Sequence, residues 1–460
     1  MGSTNGAEDR FLREFDVEFI SPNGKNPPPR GLYMLSNLDQ TFPYPIEIVF
    51  AFKKNSSDIN VDVAQVLKQS LGKALEMYYP LVGGVDVSWD GRMLVDCRGG
   101  DGGVPFVEAL SDEEMAAAVG DIALIDDKLK NFVYSNHTPY HTILDVPPLS
   151  VQVTTFKCGG IILGVGFNHV LIDGRGFSDF LMNWSIVAKR SMPNQSPQIN
   201  PLSTPNLDKS IFSPNQSPQI TQIPHPEYSK SKSPLIPSLT QKQHKIMLNY
   251  SFCFTPTKLS QLKKLALHNN NNNGNNNNNP VSRAPTDFEL ISALVWICWT
   301  KATRVSPAKT TQILTAVDGR PKLQPPLPPG YFGNGIVWSC ARSRAEELTS
   351  QPFSYAVGIV HDAIKAVTED YIRSAIDFHE VTRKPLEQEN TLWITKWSRL
   401  PFYEADFGWG GADQVAPASL VDNLVVSLSQ GKHSRDLVIS VRLPAEEMEV
   451  FKDLIQSELN

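Results

Sequence analysis

Proline limits what this chain can fold into. Between residues 191 and 243 Pro, Ser, Asn and Gln crowd together. Each proline lacks the N–H that a helix interior or a central strand needs, so no long regular element can run through the stretch. A second break follows at 269–279, a run of asparagine interrupted by Gly274 that has nothing to bury. The chain is 460 residues long, already too long for one ordinary core, and these breaks divide it. The expected organisation is an N-terminal domain over 1–190, an extended, surface-lying crossover linker over 191–243, and a C-terminal domain over 244–460. The linker repeats P-N-Q-S-P-Q-I at 193–199 and 214–220, which reads as a slipped repeat in a tolerant segment rather than a docking motif.

Both halves mix helical and strand-like patterning. Residues 61–79 place Val63, Val66, Leu67, Leu71 and Leu75 at helical spacing. Residues 149–156 are apolar and β-branched, Cys158-Gly159-Gly160 supplies a turn, and 161–167 continues as a second apolar strand, so a hairpin is expected. In the second half 288–300 reads as a buried helix, and 424–428 and 437–441 as strands. The expected fold class is α/β, two similar mixed-sheet layers.

Several function classes drop out. A net charge of −6 and the lack of a dense Lys/Arg run argue against nucleic-acid binding. The longest apolar stretch, 161–167, is too short to cross a bilayer, and the N-terminus has neither the basic nor the apolar region of a secretory signal. The five cysteines, Cys97, Cys158, Cys253, Cys298 and Cys340, are widely spaced without a CxxC pair. They read as reduced thiols of a cytoplasmic protein, not as a disulfide framework or a zinc site. No metal is expected.

The chemistry concentrates at Asn168-His169-Val170-Leu171-Ile172-Asp173-Gly174. Acyl transfer to an alcohol or amine needs a group that takes the acceptor's proton as it attacks the carbonyl, and a histidine near neutrality does this. HxxxD alone is weak, and His141-Thr142-Ile143-Leu144-Asp145 matches it too. Context separates the two. His169 follows an apolar strand and precedes Asp173-Gly174-Arg175-Gly176, whose glycines allow a tight turn and close approach to a ligand. His141 runs into Val146-Pro147-Pro148, an extended connector without room for a cradle. His169 is therefore the candidate base, with a satisfied structural histidine as the competing reading, and His141 is given no role.

The NHxxxDGxG segment together with Asp406-Phe407-Gly408-Trp409-Gly410 resembles the plant BAHD acyltransferases. Leu35-Ser36-Asn37-Leu38-Asp39-Gln40, Tyr79-Pro80-Leu81, Val151-Gln152-Val153-Thr154-Thr155-Phe156-Lys157-Cys158-Gly159-Gly160, Pro224-His225-Pro226-Glu227-Tyr228, Val317-Asp318-Gly319-Arg320 and Tyr331-Phe332-Gly333-Asn334 are similar to family landmarks in family order. The first and third resemble especially the hydroxycinnamoyl-transferring branch. The resemblance implies a chloramphenicol acetyltransferase-like pair of domains with a solvent channel between them. In it acyl-CoA and a small-molecule acceptor, an alcohol or amine of plant specialised metabolism, meet at His169 without an acyl-enzyme. No cofactor is implied, since acyl-CoA is a substrate, and a monomer with no membrane or nucleic-acid partner is expected.

The resemblance also implies residue roles. Asp173 would point away from substrate and pair with Arg320, leaving no hydrogen bond to the His169 ring. Gly174, Asp406, Gly408 and Trp409 would be structural. Thr395, Trp397 and Asn334 would line the acceptor side and steady the oxyanion, although Thr395 and Trp397 read equally as an ordinary half-buried strand. Gly84, Trp338 and Arg342 depart from the family pattern and bear on which acceptor is taken.

Two other readings compete. Carrier-dependent condensation-type transferases also carry HxxxDG but lack DFGWG, and a family member could have lost transfer and act as a lyase or a binding protein. The asparagine tract is independent of all three readings. Deleting Asn270 to Asn278 should leave fold and kinetic constants unchanged, because loop length costs little closure entropy; kcat and melting of the deletion variant check this.

Overall fold

The computed structural model describes residues 12–23, 29–53, 61–99, 102–134, 140–192, 204–218, 223–230, 236, 239, 245–268 and 284–459. The asparagine tract and the first P-N-Q-S-P-Q-I copy lie outside them.

Two large mixed sheets form the frame. One is seven-stranded, with Val104–Ser111, Leu149–Phe156, Ile161–Asn168 and Pro45–Phe52 side by side at its centre. The other is six-stranded and runs Met247–Phe254, Leu437–Pro444, Leu424–Ser429, Thr391–Lys396, Thr310–Asp318, Ile336–Arg344. Each combines antiparallel neighbours with parallel ones, such as Val104–Ser111 on Leu149–Phe156 and Thr391–Lys396 on Leu424–Ser429. A three-stranded sheet of Leu32–Met34, Met93–Asp96 and Gly84–Val87 completes the β-structure. No helix among the described residues is long and apolar enough to cross a membrane.

The expected hairpin is present. Leu149 faces Phe167 and Val151 faces Val165, with Gly159 at a φ of +77° in the turn. The whole of Ile161–Asn168 is buried, which explains its continuous apolar run: with both faces covered, alternation with polar residues would leave unpaired groups inside. Gly164 is fixed by packing, because a Cβ there would stand 1.7 Å from the Phe132 carbonyl oxygen.

The hairpin delivers the chain into the helix Gly174–Arg190, which buries Phe177, Phe180, Leu181 and Trp184 against the first sheet. Each such side chain contributes roughly 1.5–3 kcal/mol. The helix expected over 61–79 is shorter, Val63–Ala74, capped by Asp62. A separate turn, Tyr79–Val82, follows, because Pro80 cannot continue a helix. The helix Asp287–Ala302 is buried nearly all round and opens on a Thr286/Glu289 capping box.

Two assignments made from chain order change. Gln414–Pro417, in the C-terminal half by sequence, is an edge strand of the first sheet and pairs antiparallel with Pro45–Phe52. The described parts of the 191–243 connector run along the surface at Ser210, Asn215 and Gln216 but also send side chains inward. Phe212 is wholly buried, Lys209 and Glu227 nearly so. Proline excludes regular structure but not burial, provided the polar groups find partners, and here they do: Lys209 pairs with Asp39, and the His225 ring joins Glu227 to Ser374 on the helix Glu369–Thr382.

The Asp406-Phe407-Gly408-Trp409-Gly410 turn packs on the first sheet and its helix. Asp406 accepts from the Gly408 and Gly410 N–H groups at 2.9 and 2.8 Å and pairs with Lys189. Gly408, at a φ of +116°, leaves no room for a Cβ beside Met192. Phe407 and Trp409 stack on each other and stand edge-on to Phe52. Asp406→Ala unties the turn, so stability should fall by roughly 1–3 kcal/mol while kcat per folded molecule stays within about twofold; melting and active-site-normalised rates check both parts.

Candidate active site

His169 sits where the hairpin ends. Its N–H donates to the Tyr44 carbonyl at 3.2 Å, and its carbonyl accepts from Asn334 Nδ2 at 2.8 Å. The ring stacks on Phe42 with centroids 4.8 Å apart, and Tyr44 packs at 5.0 Å. Only 7% of the residue is exposed. Burial pushes the imidazole below the ordinary histidine pKa, while Asp173, the backbone and the Asn334 side chain oppose it. The ring is therefore a neutral base near pH 7. Its Nδ1 and the Oδ1 of Asn334 find no hydrogen-bond partner among the described residues.

Asp173, wholly buried, caps the helix Gly174–Arg190 by accepting from the N–H groups of Arg175 and Gly176. The same carboxylate takes a bidentate grip from Arg320, with Nη2 to Oδ1 at 2.8 Å and Nη1 to Oδ2 at 2.9 Å, and accepts the Gly335 N–H at 2.9 Å. Burial pushes its pKa up, but the guanidinium and the backbone N–H groups prevail and hold it below the ordinary carboxylate value. No hydrogen bond joins it to His169, so the pairing expected from the resemblance is the one observed. Gly174 opens the helix with Leu400 close against it.

A second buried ion pair flanks the same turn, and sequence reasoning gave it no role. Asp39, at 0% exposure, accepts from Ser36 and, through Oδ1, from both the N–H and the Nδ2 of Asn334 at 2.8 Å. Lys209 faces it at 3.0 Å and donates to the Leu171 carbonyl at 3.3 Å. Asp39 belongs to the segment Leu35-Ser36-Asn37-Leu38-Asp39-Gln40, but its partner lies in the proline-rich connector, where no periodicity points to a buried cation.

A cavity of about 1020 Å³ opens beside this centre, lined from the first half by Tyr44, Ile46 and Glu47 and from the second by Trp393, Trp397 and Leu424. His169 does not itself line it; its ring neighbour Tyr44 does. Trp397 is thus on the wall. Thr395 shares the strand face of Trp393 without lining the cavity, and Asn334 does not line it either but bonds Asp39 and the His169 carbonyl. Trp338 is buried between Phe42 and Trp393, at centroid distances of 5.9 and 5.4 Å. Asp406, Gly408 and Trp409 are away from His169, in the turn described above. The second HxxxD resolves as local structure: Asp145 accepts from the His141 and Thr142 N–H groups and closes a capping box on a single turn.

Comparison with known proteins gives this geometry its setting. Residues 16–457 match the model of the Transferase family. The chain is 39% identical to the omega-hydroxypalmitate O-feruloyl transferase of Arabidopsis thaliana, over 92% of this chain and 88% of that one. It is 33% identical to the fatty alcohol:caffeoyl-CoA acyltransferase of the same plant, over 95% and 96%. In fold it is similar to vinorine synthase, with a TM-score of 0.70 at 23% identity over 97% of this chain and 98% of that one. The F. graminearum TRI101 complexed with coenzyme A and deoxynivalenol also gives 0.70, at 16% identity over 92% and 97%. Two mixed sheets, a buried neutral histidine between them, and matches spanning nearly the whole length carry one conclusion: the chain belongs to the Transferase family, the BAHD acyltransferases that its motifs resemble.

Proposed function

We propose that the protein transfers an aromatic, hydroxycinnamoyl-type acyl group from its CoA thioester to the terminal hydroxyl of a long aliphatic acceptor. The acceptor oxygen attacks the thioester carbonyl as His169 takes its proton. The tetrahedral intermediate then expels CoA thiolate, which recovers that proton, and no acyl-enzyme forms. The observation that carries the reading is the buried, neutral His169 ring, held by backbone bonds beside a cavity lined from both halves. Trp397 and Thr395 are proposed to steady the oxyanion, with Trp397 the better placed.

The acyl and acceptor classes rest on two supports. Tyr44, Trp393 and Trp397 on the wall suit stacking with an aromatic ring, and Leu420, Val421, Leu424 and Val426 offer an aliphatic wall. The relatives named for omega-hydroxypalmitate and fatty alcohol point the same way. The reading needs no cofactor. It takes the protein as a cytoplasmic monomer, and the five unpaired thiols suit a reducing compartment.

Feruloyl-CoA or caffeoyl-CoA with a long-chain ω-hydroxy acid or fatty alcohol, followed by CoA release, tests the function. His169→Ala should lower turnover by roughly two to four orders of magnitude with the fold intact, and His141→Ala should retain most activity. Because burial lowers the His169 pKa, the base stays deprotonated further into acid than a free histidine. The acid limb of kcat should fall below pH ~6.5, with a plateau above it. An acid limb above that value, or equal impairment of the two histidine variants, would contradict the assignment.

A further inference from the structure

The turn bearing His169 is held at its far end by Arg320, and the grip at its near end comes from a segment that composition alone would dismiss. Lys209 lies in the proline-rich connector, yet its ammonium is buried against Asp39, at 3.0 Å, beneath the rings of Tyr33, Tyr331 and Phe332 at 5.6 to 5.7 Å. It also donates to the carbonyl of Leu171, two residues after His169. Asp39 then holds Asn334 by two hydrogen bonds, and Asn334 holds the His169 carbonyl. A Cβ on Gly333 would stand 2.2 Å from the Lys209 ammonium, so the strand-entry segment is closed down around the cation.

We propose that Lys209 and Asp39 are positioning residues for the transfer reaction, and that the crossover connector fixes the aim of His169 through Asn334 and Leu171. A buried carboxylate must keep its cation or lose its charge. Without Lys209, Asp39 cannot hold both Asn334 donors in place, and the His169 carbonyl loses its anchor. The ring then wanders within its aromatic slot, and a base displaced by an ångström or less forfeits much of its rate. Since neither residue lines the cavity, substrate affinity is left nearly untouched.

The inference rests on His169 being the base, so His169→Ala is the reference variant. Lys209→Met in the full-length protein should lower kcat, per folded molecule, by about tenfold or more while KM for the acyl-CoA changes less than about twofold. Asp39→Asn keeps side-chain volume and serves as the second variant should Lys209→Met fold poorly; it should show the same split between kcat and KM. Folded Lys209→Met or Asp39→Asn with unchanged kcat overturns the inference, as does a loss that vanishes once rates are normalised to folded protein. If His169→Ala itself stays active, it is the assignment of the base that fails.

Discussion

The bidentate pair between Asp173 and Arg320 is the interaction on which the rest of the site depends. One carboxylate caps the helix Gly174–Arg190, receives a guanidinium carried from the second half, and accepts the Gly335 N–H. Taking two charges out of water is costly and is offset only when every lone pair and proton finds a partner. Here the partners come from both halves, so the bond forms fully only when the halves are correctly joined. In the proposed mechanism the aspartate of HxxxD acts through position and not through proton transfer.

Residues 333–335 are gripped in alternation. Arg320 takes the Gly333 carbonyl, Asp39 takes Asn334, and Asp173 takes Gly335. The two ion pairs therefore share one short segment of the second half and clamp the catalytic turn of the first from either end. The His169 ring, by contrast, has an Nδ1 without a hydrogen-bond partner among the described residues and packs against Phe42 and Tyr44. A rigid backbone beneath an imidazole kept neutral by burial is what general-base catalysis near pH 7 requires.

Much of this was legible in the residues, and the omissions have physical causes. The hairpin leading to His169 could be read because its strands are continuous, β-branched and bounded by glycine. Of the two HxxxD matches only one has glycines where a turn must tighten, and Asp145 of the other caps its own turn. The helix over 61–79 is overextended in the sequence reading because the apolar period ends at Leu75, where the helix is capped, while residues 76–79 carry no glycine or proline to mark the stop. What pattern cannot show is pairing across long sequence distance. Gln414–Pro417 looks like any short strand until Pro45–Phe52 offers it an edge, and Lys209 looks solvated until Asp39 is placed beside it. The pairing of Asp173 with Arg320 entered through family resemblance, since no spacing rule links residues so far apart.

The most direct measurement is a double-mutant cycle on single-turnover acyl transfer, with Asp173→Ala, Arg320→Ala and the double variant. If the pair acts as one device that aims His169, the double variant should be no worse than the poorer single one, giving a coupling of roughly 0.5–3 kcal/mol. Losses that simply add, with Asp173→Ala far more damaging than Arg320→Ala, would mean that Asp173 serves His169 directly and would contradict this account.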